Sequence, residues 1–182
     1  MIPAGYMAKR VLPKPDWLLA PHVLDIYSVS GCVSGFFADY VDCWKHNGHW
    51  FFDSPQIITS VAKDESIDLL GNLLFYYEIY EKEFDGKGWT PYQHDDSRPT
   101  EIVQPQTKGL VGFDVVTFYA RNAPECSPLS CNGLAHEIPT NSHCLLNSFQ
   151  ESFKVLETGA FDNSEPGPYR IFAVYSVDWP ED

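Results

Sequence analysis

An α+β fold, or an α/β one, is the class this sequence predicts: a mixed β-sheet with packed helices. Three observations lead there. Apolar residues recur with period two in some stretches and near 3.6 in others. The stretch from His143 to Val177 reads as strand, capped helix, turn and strand. A similar unit, His49 to Glu83, precedes it. The chain is therefore read as two related βαβαβ-like halves in one compact unit.

Residues 1–21 hold Pro3, Pro13, Pro15 and Pro21 and are expected to form an irregular N-terminal arm that packs through Trp17 and Leu18. Met7 offers an alternative start. The first half, 22–84, opens with a strand at Val23–Val29. Val33, Phe36, Phe37, Tyr40, Val41 and Trp44 recur at helical spacing, and Trp44 is expected in the core. Asn47-Gly48 is read as the end of that helix rather than as a hairpin turn.

His49-Trp50-Phe51-Phe52-Asp53 reads as a strand. Ser54 and Pro55 then open a helix, with Ile57, Ile58, Val61 and Ala62 as its apolar stripe. Leu73 to Glu81 returns as a strand. The connection 85–112 is broken by Gly86, Gly88, Pro91, Pro99 and Pro105. A link of that length is functional or mobile more often than not.

The second half, 113–182, starts with a strand at Phe113–Tyr119. Ser127-Pro128 begins a short helix that runs through Leu134 and Ala135. His143 to Asn147 is a strand, and Ser148-Phe149-Gln150-Glu151 has the form of a capping box. Phe149, Phe153 and Leu156 give the helix its stripe, and Gly159 ends it. In the last strand Ile171, Ala173, Tyr175, Val177 and Trp179 share one face. Arg170, Phe172, Val174 and Ser176 share the other. Apolar residues on both faces place this strand centrally. Aligned without gaps, His49, Ser54 and Gln56 coincide with His143, Ser148 and Gln150.

Composition narrows the function. A net charge of −13 argues against binding a nucleic acid backbone and suits a basic protein partner. No apolar run follows Lys9, Arg10 and Lys14 as in an export signal, and none is long enough to span a membrane. The expected setting is the cytoplasm, with five reduced cysteines.

Chemistry-bearing residues fall into a few groups. Cys43, His46 and His49 are the candidate metal ligands, zinc being the metal that favours such donors; otherwise no cofactor is expected. Cys126, Cys131 and Cys144 are candidate nucleophiles, with His136 or His143 as the activating base. Cys32 belongs to the same inventory. His94-Asp95-Asp96 offers oxygens to a divalent cation. Glu78 has opposite strand parity to Glu81 and Glu83, so these form no acid–base pair. No phosphate-binding glycine motif and no Gly-x-Ser-x-Gly is present.

The reading is a non-catalytic protein-binding module of the inhibitor or immunity type. A Cys/His-dependent enzyme or zinc-binding protein is the alternative. Binding of a small ligand between the halves is the third.

Overall fold

A computed structural model describes residues 1–33, 35–36, 46–98, 100–119 and 123–180. The start of the helix predicted from Val33 to Trp44 is corrected, since Val33 lies in a turn and Gly35–Phe36 is a short strand; the rest of it, residues 37–45 with Cys43, lies outside the described residues.

Among the described residues six strands form one sheet: β1 (Ile2–Arg10), β2 (Gly35–Phe36), β3 (Leu73–Phe84), β4 (Trp89–Pro91), β5 (Gly109–Thr117) and β6 (Tyr169–Val177). The order is β2-β1-β3-β6-β5, with β4 paired to β3. Every pairing is antiparallel, so the described sheet is not a mixed one. Two helices, α1 (Pro55–Asp64) and α2 (Phe149–Glu157), accompany it. The class is α+β and mostly sheet. Among the described residues no helix is long and apolar enough to cross a membrane.

The expectation of an irregular arm over 1–21 is corrected at its start. Ile2–Arg10 is an inner strand, held between β2 and β3. Pro3 is tolerated because the register breaks between Pro3 and Gly5, so its missing N–H interrupts no continuous ladder. Ala4, Met7 and Ala8 are fully buried there.

Register fixes what each face of the sheet carries. Tyr77 lies opposite Val174, Ile79 opposite Phe172, and Phe172 opposite Asp114. Met7 pairs with Phe75 and Lys9 with Leu73. Alternation therefore sends Lys9, Phe75, Tyr77, Phe172 and Asp114 to one face. The prediction for β6 holds: it lies between β3 and β5, and both of its faces are buried through most of its length.

Both helix starts follow their capping chemistry. Ser54 Oγ accepts from Ile57 N, and Ser148 Oγ accepts from Glu151 N at 3.2 Å. Glu151 reaches back to Asn147 N at 2.8 Å. Ile58, Val61 and Ala62 of α1 are buried, whereas Ile57 is exposed.

The predicted strands at His49–Asp53 and His143–Asn147 are instead turns, each with a single bridge to the sheet. A side-chain amide at the head of each turn explains this. Asn47 Oδ1 accepts from His49 N and Phe51 N, and Asn141 Oδ1 accepts from His143 N and Leu145 N. Those N–H groups are thus taken from any ladder. The residue after each histidine, Trp50 or Cys144, sits at positive φ. Asn47 Nδ2 donates to Ala4 O, and Asn141 Nδ2 donates to Val111 O. Each turn presses on a glycine of the adjoining strand. A Cβ on Gly5 would lie 2.6 Å from Phe52 O, and one on Gly112 would lie 2.8 Å from Leu146 O.

Val23–Val29 is likewise not a strand. Among the described residues its one bridge joins Asp25 to Pro13. The 85–112 connection contributes β4, then lies against the Asn47 turn through Asp95 N to Gly48 O and Val103 N to Asp53 O. Ser127-Pro128 opens a turn, and the predicted short helix shrinks to a single 3-10 turn at Leu134–His136.

Candidate metal centre

Two loops meet beside the Lys9–Asp114 face of the sheet. Residues 28–32 carry Cys32. Residues 125–131 carry Cys126 and Cys131, and hang from the end of β5 by Thr117 N to Cys126 O, 2.8 Å, and Glu125 N to Thr117 O, 3.0 Å. The three Sγ atoms all lie within 4.8 Å of one another. Cys126 is buried, Cys131 half-buried and Cys32 exposed, so the cluster opens to solvent on the Cys32 side.

The loops are built on buried polar groups. Lys9, 1% exposed, donates through Nζ to Ser28 O and to Ser30 O. Asp114, fully buried, accepts from Ser28 Oγ, Val29 N, Ser127 Oγ and Val115 N at 2.6 to 2.9 Å. Burial pushes the Asp114 carboxyl up; bonds from Ser127, Val29 and Ser28 and the Lys9 charge act against that.

Thiol chemistry follows from this crowding. Bonding with the Cys126 and Cys131 thiols holds the Cys32 pKa well below its ordinary value, with Ser30 contributing further. The same contacts, with burial, push Cys126 up. Around the sulfurs, Cys32 Sγ lies 3.0 Å from Glu125 O, Cys126 Sγ 3.7 Å from Asn132 Oδ1 and Cys131 Sγ 3.7 Å from Ser30 Oγ.

Of the residues singled out in the sequence, Cys126 and Cys131 come together and Cys32 joins them. The others lie elsewhere. Cys144 is buried, and burial first, then Asp114 and Cys131, push its thiol up to about 12. His136 contacts Gly133 O and pairs with Glu137. His143 holds Asp25 through Nδ1 at 2.6 Å and stacks on Tyr27, while its Nε2 bonds no described residue. That is an oriented imidazole, but among the described residues it has no thiol or hydroxyl to activate. His46 stacks on Trp50 and meets Phe52 at a tilt. His49 meets the Tyr92 hydroxyl and stacks on His94, and Cys43, the third member of that ligand set, lies outside the described residues. In the His94-Asp95-Asp96 loop, Asp95 accepts from Ser97 through Oδ1 and from Arg98 through Oδ2.

Asp114 and Lys9 escaped the sequence reading. The available signal was a charged residue at a core-facing position of each strand, which calls for a buried partner. Comparison with protein-family models, curated proteins and solved structures found no match to this chain.

Proposed function

We propose that this protein binds a thiophilic metal ion, zinc being the first to consider, through Cys32, Cys126 and Cys131. The observation that carries the reading is the convergence of three sulfurs from two loops far apart in sequence. Zinc–sulfur bonds of about 2.3 Å put the sulfurs of a tetrahedral site about 3.8 Å apart, so the loops need close by an ångström at most. Deprotonated sulfur is the ligand form, and the lowered Cys32 thiol favours it. Among the described residues three ligands converge, and a fourth position is left for water or another ligand.

Titration with Cd2+, read by sulfur-to-cadmium charge transfer and repeated in competition with Zn2+, tests this. One ion per chain is expected. Loss of binding is expected in Cys126→Ser, with binding retained in Cys144→Ala. Absence of a saturable thiolate band in the wild-type protein would overturn the reading.

A protein-binding role keeps one observation in its favour. The segment between β1 and Ile26 exposes Leu12, Trp17, Leu19 and Leu24, four large apolar side chains on a strongly acidic protein. A basic partner docking there is expected to be lost on Trp17→Ser with Leu24→Ser, while metal binding is kept.

We further propose that the halves descend from one duplicated unit. The recurrent Asn-headed turn, the positive φ after each histidine, the serine cap and the blocked glycine support this. Replacing residues 47–54 by the sequence of residues 141–148 is expected to preserve the fold. Failure of that chimera to fold would favour independent origins.

A further inference from the structure

Two loops supply the three sulfurs, and one side chain is bonded to both. Asp114 Oδ2 accepts from Ser28 Oγ at 2.8 Å and Val29 N at 2.8 Å, in the loop that leads to Cys32. Asp114 Oδ1 accepts from Ser127 Oγ at 2.6 Å, in the loop of Cys126 and Cys131, and from Val115 N at 2.9 Å. Ser28 Oγ also lies 3.1 Å from Ser30 Oγ, which in turn lies 3.7 Å from Cys131 Sγ. The carboxylate is therefore linked to both sides of the cluster.

We propose that Asp114 is the positioning residue of the tri-cysteine centre: its two oxygens draw the 28–32 and 125–131 loops together and so set the separation of the three sulfurs. This deepens the metal-binding reading and rests on it for its purpose, though not for its geometry.

An ionised carboxylate accepts at both oxygens and donates nowhere, which suits four converging donors. An asparagine has the same shape but only one acceptor oxygen. Whichever way its amide turns, its NH2 faces either Val29 N or Val115 N, and a backbone N–H cannot reverse to accept. Should Val29 lose its acceptor, the Cys32 loop loses an anchor. Should Val115 lose it, Ser127 loses its carboxylate oxygen as well. The sulfurs separate in either case. Lys9 still holds Ser28 O and Ser30 O from the β1 side, so the 28–32 loop is loosened rather than released. Buried charge-assisted bonds of this kind are strong, and outer partners that orient ligands typically change affinity by about 10–100-fold.

Arsenite is the probe, because As(OH)3 and three thiols give one As(SR)3 and three waters, with no change of oxidation state. Native mass spectrometry of the full chain reads the bound arsenic, and thiol titration reads the three sulfurs consumed. The wild-type protein is expected to take up one arsenic with loss of three thiols. Asp114→Asn is expected to bind about 10–100-fold more weakly. Asn47→Ala, which loosens the fold away from the thiols, is expected to keep wild-type affinity; this separates positioning from general destabilisation.

Wild-type affinity in Asp114→Asn overturns the proposal, as does failure of the wild-type protein to engage three thiols. Where Asp114→Asn does not fold, Ser127→Ala decides. It keeps the carboxylate and three of its donors, and unchanged arsenite affinity in it overturns the proposal. Uptake of arsenite without any Cd2+ or Zn2+ binding defeats the metal reading alone and leaves the role of Asp114 standing.

Discussion

His49 shows how a single buried titratable residue ties stability to pH. It is 6% exposed, with its Nδ1 at 2.9 Å from the Tyr92 hydroxyl. Burial first, then His94 and Arg170, lower its pKa to about 4, against an opposing pull from Asp53. The unfolded chain binds this proton near pH 6.5, and the folded one does not until about pH 4. Stability from this group is therefore complete above pH 6.5 and is lost as pH falls from there towards 4, by on the order of 3 kcal/mol. Urea unfolding between pH 7 and 4 should show that decline, and His49→Gln should flatten it. An unchanged slope in the variant would assign the decline to other groups. The thiols belong to the same scale. Cys126 and Cys131 were legible as chemistry-bearing residues, but spacing alone does not tell that Cys32 is their third member. That depends on a loop crossing the sheet to reach Asp114, a tertiary contact with no local signature.

At the scale of elements, capping and turn chemistry decide more than apolar pattern. Ser54 and Ser148 start helices where the sequence places them, because the cap is a local interaction. The stretches after Asn47 and Asn141 look like strands by composition, yet the asparagine amides claim their N–H groups and make turns. The prolines of the N-terminal segment mislead in the opposite direction, since one β-bulge is enough to admit Pro3 into an inner strand. Asn141→Ala removes two acceptor bonds and one donor bond. A loss of about 2–4 kcal/mol in unfolding free energy is expected, at about 1 kcal/mol per bond and more for buried groups left unpaired. Asn47→Ala should lose a similar amount. A loss under about 0.5 kcal/mol in either would mean that the turns hold without their amides. Gly5→Ala and Gly112→Ala should each destabilise too, because backbone oxygens at 2.6 and 2.8 Å occupy the place of the new Cβ.

For the molecule as a whole, the antiparallel sheet brings distant segments to one place. β1 and β5 are separated in the sheet by β3 and β6, and they raise Lys9 and Asp114 on the same face. The 28–32 loop bridges them, and Cys32 thereby arrives beside Cys126 and Cys131. The α+β class and the central place of β6 were legible because burial on both faces leaves a continuous apolar run. Strand order was not, since it depends on pairing between residues far apart in sequence. Metal bound at this junction joins two loops that meet on one face of the sheet, so it should raise Tm in step with metal concentration. The most direct test is X-ray absorption at the zinc edge of protein reconstituted with one equivalent of Zn2+. The account predicts three sulfur scatterers at about 2.3 Å. A first shell of nitrogen and oxygen only, or zinc that does not stay with the protein on gel filtration, would contradict it.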